Sequence, residues 1–176
     1  FGLHISADTP EGILTYKPGG ILAAADRFVI QVNGKQSHGS QPWASIDPIV
    51  TSAQIINGIQ TIISRQTELT KEGAVITVGM INSGIRNNII PESAEMIGTI
   101  RTLDTQMQDK IHADLIRTAT KIGESMGAQV TVDIEREVPV TFNDPALTTK
   151  AANWLNSSLG PEHVQLQRAI TGAEDF

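Results

Sequence analysis

The spacing of apolar and polar residues predicts two long helices and four strands. Over 46–65, Ile49, Val50, Ala53, Ile56, Ile59, Ile62 and Ile63 recur at helical intervals and form one apolar stripe. Asp47-Pro48 starts this helix: the Asp carboxylate can accept from unpaired N–H groups at the N-cap, and proline suits the first helical position. In the second helix Met107, Ile111, Leu115, Ala119, Ile122 and Met126 fall three or four residues apart. Thr105 with Gln108 has the spacing of a capping box, and Gly127 stands where a left-handed C-cap residue belongs. Strands are predicted over 27–33, 74–81, 94–101 and 130–135, the last alternating Val130, Val132 and Ile134 with Thr131, Asp133 and Glu135.

The order strand, helix, strand, strand, helix, strand is that of a split β-α-β motif. It predicts an α+β fold: a ferredoxin-like βαββαβ sandwich in which two helices cover one face of a four-stranded antiparallel sheet. This unit takes up 26–136 and leaves 1–25 and 137–176 as flanks. The second flank holds an amphipathic segment over Pro145–Leu159, with Leu147, Ala151, Trp154 and Leu155 on one side.

Composition narrows the function. With 40% hydrophobic and 18% charged residues among 176, the chain is neither disordered nor membrane-spanning in character. A net charge of -6 and 4% aromatic residues leave no basic surface and few stacking platforms, so neither nucleic acid nor a membrane is an expected partner. There is no cysteine, which excludes disulfides, thiolate metal sites and cysteine nucleophiles within these residues. A metal would need His and carboxylate ligands. The opening Phe1-Gly2-Leu3-His4 and the closing Gly172-Ala173-Glu174-Asp175-Phe176 both read as cut ends.

Of the four histidines, His112 lies in the second helix and His163 in a turn, and both are expected at the surface without a special role. His4 follows an apolar run that can end a strand, a common position for a metal ligand, although a structural role is the alternative. His38 sits in the polar, Gly- and Pro-containing loop Gly34 to Trp43, where an imidazole can either hydrogen-bond a developing oxyanion or cap the turn. The amides of the Asn82 to Pro91 segment, Asn88 among them, can satisfy the loop backbone or contact a ligand. Arg101, at a strand end, can clamp a carboxylate bidentately or pair with a surface acid.

Several motifs stand in a recognisable order: Phe1-Gly2-Leu3-His4 with Pro10 and Gly12; Gly19-Gly20-Ile21-Leu22-Ala23-Ala24-Ala25-Asp26; Ser37-His38-Gly39-Ser40-Gln41-Pro42-Trp43 with Asp47-Pro48-Ile49; Asn88-Ile89-Ile90-Pro91; Gly98-Thr99-Ile100-Arg101; and Gly172-Ala173-Glu174-Asp175-Phe176. Together they resemble the metal-dependent aminoacylase and dipeptidase superfamily, most closely its branch of N-acyl-amino-acid amidohydrolases, hippurate hydrolases and auxin-conjugate hydrolases. One departure is visible: many members place a second His after the proline of the His38 loop, where this chain has Trp43.

The resemblance implies an α/β catalytic domain holding two divalent metal ions, zinc or else manganese, cobalt or nickel, and a ferredoxin-like lid through which the enzyme forms a homodimer. On that basis 26–136 is the lid, and 1–25 and 137–176 are remnants of the catalytic domain. His4 falls on a metal-ligand position. His38 falls on the lid histidine that reaches the other subunit's active site and stabilises the tetrahedral oxyanion. Asn88 and Arg101 fall on substrate-contacting positions, and Glu174 and Asp175 near the active-site rim. The implied reaction is hydrolysis of the amide of an N-acyl amino acid by metal-activated water. In the family the general-base glutamate and a cysteine ligand precede Phe1 and a last histidine follows Phe176, so the chain alone is expected to be inactive and its parent protein cytoplasmic. The alternatives are a carboxypeptidase or dipeptidase of the same superfamily, and a non-catalytic ferredoxin-like dimerisation module.

Overall fold

The computed structural model describes residues 2–174; what the sequence suggests for Phe1, Asp175 and Phe176 lies outside the described residues. The strands are β1 (Leu14–Tyr16), β2 (Gly19–Leu22), β3 (Ala24–Asn33), β4 (Ser37–His38), β5 (Ala74–Ser83), β6 (Ile89–Ile90), β7 (Ser93–Thr102), β8 (Gln129–Val138), β9 (Thr141–Asn143) and β10 (Val164–Leu166). The helices are α1 (Pro48–Thr61), α2 (Thr105–Ser125) and α3 (Pro145–Leu159), and a π turn over Ile62–Gln66 ends α1. None is long and apolar enough to cross a membrane.

The expected sandwich is present. Its sheet runs β5-β7-β3-β8, antiparallel at every step, and α1 and α2 make the two crossovers. Alternation decides the two faces. Phe28, Ile30 and Val32 of β3 and Met96 and Ile100 of β7 turn toward the helices, where they meet Ile55 and Ile59 of α1 and Ile111 and Leu115 of α2. All of these are fully buried, each contributing about 1.5–3 kcal/mol in removing apolar surface from water. The flanks pair with each other around this unit: β2 is antiparallel to β9 and β1 is parallel to β10.

Three local expectations need correction. The stripe read for α1 merges two faces: Ser52, Ile55, Ile59 and Ile62 are buried, whereas Ile49 and Val50 are 45% and 47% exposed, because apolar side chains occur all round the first turns. Asp47 does cap α1, accepting from the N–H of Ile49 at 2.8 Å and of Val50 at 3.1 Å. At α2 the cap is Asp104, which accepts from the Met107 N–H at 2.8 Å, and no Thr105–Gln108 box forms. Gln108 turns inward instead. At the other end Gly127 adopts φ 78°, as expected for a left-handed C-cap.

The third correction is His112. Its side chain is only 12% exposed, and its Nε2 lies 2.6 Å from Oδ2 of Asp26, a fully buried carboxylate. Gln108 donates from Nε2 to both oxygens of that carboxylate, at 2.9 and 2.8 Å. A buried charge needs such partners, and they pin α2 to the first residues of the central strand.

Candidate functional site

The His38 loop leaves β3 and returns to α1 through a closed neck. Lys35 and Ile46 exchange backbone hydrogen bonds, N to O at 2.9 and 3.1 Å, and a Cβ on Gly34 would lie 2.1 Å from the Ile46 carbonyl oxygen. Only glycine permits that approach. Inside the loop, β4 pairs antiparallel with β6, placing His38 opposite Ile89. The Gly39 N–H also donates to the Asn88 carbonyl at 2.8 Å. The loops bearing His38 and Asn88 are thus joined edge to edge.

The ring of His38 is oriented by its neighbour. The Ser40 backbone N–H donates to Nδ1 at 3.1 Å, and the Ser40 hydroxyl lies 2.8 Å from the same nitrogen. An Nδ1 that accepts leaves the proton of the neutral ring on Nε2, so the exposed side of the imidazole is a hydrogen-bond donor. The Asn88 side chain is exposed and has no hydrogen bond within the described residues.

Arg101 lies elsewhere. It pairs with Ala25 near the start of β3, whereas His38 follows the far end of that strand. The ten residues of β3 separate them by about 30 Å at a rise of about 3.3 Å per residue. Arg101 is half-buried, its Nη1 donating to Thr99 Oγ1 and to the Ile100 carbonyl, and it has no acidic partner among the described residues. The flanks lie at this same end, where the Ala23 N–H donates to the Gly172 carbonyl at 2.8 Å.

His4 is exposed and its Nδ1 pairs with a Glu174 carboxylate oxygen, so the two ends of the described chain meet. These two side chains are metal donors, but no group of three His, Cys, Asp or Glu residues able to hold a metal exists among the described residues.

Comparison with known proteins decides the family. Residues 24–126 match the model of the peptidase dimerisation domain of the M20 family. The chain belongs to this M20 dimerisation family. Its four-stranded sheet and two crossover helices are the fold of that domain. The chain is 40% identical over 177 residues to thermostable carboxypeptidase 2 of Saccharolobus solfataricus, covering all of this chain and 44% of that protein. It is 34% identical to N-acetylcysteine deacetylase of Bacillus subtilis, covering all of this chain and 46% of the relative. Among solved structures, YXEP of Bacillus subtilis, a dinuclear metal-binding peptidase of the M20 family, superposes with a TM-score of 0.74 at 29% identity over 97% of this chain and 41% of its own. The chain therefore spans less than half the length of the M20 relatives it matches.

Sequence reasoning missed the Asp26–Gln108–His112 cluster, although Gln108 and His112, four apart on one helical face, were a signal for it.

Proposed function

We propose that the parent protein is a homodimeric metal-dependent amidohydrolase that cleaves N-acyl amino acids, with this chain supplying its lid and parts of its catalytic domain. The lid would be 26–136, with 1–25 and 137–176 belonging to the catalytic domain. The metal ions of such an enzyme, zinc or a similar divalent ion, supply an activated water nucleophile. His4 is offered as one of their ligands.

The observation that carries this reading is the separation of the site residues. His38 and Asn88 stand at one end of the sheet, Arg101 and His4 at the other, about 30 Å apart by strand rise. No small substrate spans that distance, so a site using all of them draws His38 and Asn88 from one subunit and Arg101 from the other. His38 Nε2–H would then donate to the developing oxyanion, Asn88 would orient the substrate, and Arg101 would hold its carboxylate.

The two sheet edges favour one dimer face. β8 carries Asp133, Glu135, Arg136 and Glu137, a charged edge that resists further pairing. On β5 the exposed residues include Met80 at 54% and Ile81 at 49%, and Ile49 and Val50 of α1 are also uncovered. A two-fold contact through β5 and α1 would bury them. Sedimentation of this chain at micromolar concentration tests it: a dimer is expected, and a monomer overturns the assignment.

A carboxypeptidase is the second reading, favoured by the identity to thermostable carboxypeptidase 2. Profiling the full-length protein on acetyl- and benzoyl-amino acids against dipeptides separates the two. Faster turnover of dipeptides would replace the first reading with the second.

A further inference from the structure

The outer side-chain torsion of a histidine is broad and roughly two-fold, so an unrestrained ring turns over readily. A half-turn exchanges Nδ1 with a carbon and carries Nε2 to a different place. His38 is exposed, and no core packing restrains it. Ser40 does so instead, with two groups on one atom: its backbone N–H lies 3.1 Å from Nδ1 and its hydroxyl 2.8 Å from the same nitrogen. The backbone group settles the sense of the second bond. An N–H can only donate, so Nδ1 carries no proton and the hydroxyl donates to it as well.

Ser40 is in turn held by its surroundings. Residues 38–41 make a tight turn, closed by the Gln41 N–H donating to the His38 carbonyl at 2.8 Å. The turn is tied to the neighbouring loop through Gly39, whose N–H donates to the Asn88 carbonyl at 2.8 Å. A Cβ at position 39 would lie 3.1 Å from that carbonyl oxygen, so glycine is what lets the two loops come this close. We infer that Ser40 is a positioning residue for His38: its N–H and hydroxyl fix the ring flip and the tautomer that present Nε2–H outward, and the tie to the Asn88 loop keeps both donors in place. This inference rests on the amidohydrolase reading, in which that Nε2–H meets the oxyanion. Displacing a reacting group by about 1 Å can cost up to about 10²-fold in rate, whereas losing an exposed hydroxyl hardly affects folding, so the two roles are separable.

The test compares wild type with Ser40→Ala and Ser40→Thr. In the full-length enzyme acting on an N-acetyl amino acid, Ser40→Ala is expected to lower kcat by about three- to tenfold, the size of one lost hydrogen bond, with KM and melting temperature near wild type. Ser40→Thr keeps the hydroxyl and should recover most of kcat. Nitrogen-15 NMR of this chain under alkaline conditions, where imidazole is neutral, reads the ring directly. Wild type should carry the His38 proton on Nε2, and Ser40→Ala should show a larger share on Nδ1. A wild-type ring protonated on Nδ1, or an unchanged kcat in Ser40→Ala, overturns the inference. A kcat loss that Ser40→Thr does not recover and that comes with a lower melting temperature makes Ser40 merely structural and overturns it too. If wild type hydrolyses no N-acyl amino acid but Ser40→Ala still shifts the His38 proton, the amidohydrolase reading fails and the hold of Ser40 on the ring stands.

Discussion

The sandwich and its flanks are built on different terms. Between α1, α2 and the sheet, the side chains of Phe28, Ile30, Ile55, Ile59, Met96, Ile100, Ile111 and Leu115 close completely on one another. The flanks make short two-stranded pairs and leave Phe142, Leu147, Trp154, Leu166 and Ile170 about half exposed or more, with Ala152 the one buried residue of α3. A unit that buries its own apolar face can hold its shape alone, whereas apolar surface left open in ordered segments calls for more protein against it. The relatives, more than twice as long, have that additional chain.

The sharpest way to break this contrast is to attack the sandwich. Phe28→Ala should cost about 3–5 kcal/mol of unfolding free energy by chemical denaturation, as expected for truncating a fully buried aromatic residue. A loss below 1 kcal/mol, about the size of a surface effect, would mean the core does not bear the fold. Next comes the oxyanion role proposed for His38. In the full-length enzyme His38→Ala should lower kcat by roughly 10²-fold while leaving the melting temperature near wild type, since an oxyanion donor acts in the transition state and this one is exposed. An unaltered kcat would reject the role. Asp26→Ala should cost about 1–3 kcal/mol by leaving Gln108 and His112 without their carboxylate, measured by the same denaturation. The smallest effect belongs to the flank: Leu166→Ser, at a residue 68% exposed, should change the stability of this chain by no more than about 0.5 kcal/mol. The same substitution in the full-length protein should cost more, and equal costs would erase the distinction between the two regions.

What could be read from the sequence follows the same division. Strands two faces deep with a helix-facing alternation, such as β3 and β8, announce themselves through period and length, and all four sheet strands were expected within a few residues of their positions. The outward face of α1 misled because Ile49 and Val50 are apolar yet lie off the core-facing side, and periodicity cannot tell which apolar side turns inward. β4 and β6 are two residues each, too short to carry a pattern, yet they join the His38 and Asn88 loops. Pairing of His4 with Glu174, nearly the whole chain apart, depends on the flanks returning side by side, which no local signal encodes.

The Lys35–Ile46 neck has an evolutionary consequence. Because the neck is closed by backbone bonds and β4 is held to β6, the tip residues beyond β4, Trp43 included, can be exchanged or lengthened without disturbing the register of β3 or the start of α1. The loop is therefore a cassette, and substitutions at its tip are a cheap route by which a protein with this scaffold can change what it acts on while its foundation stays the same.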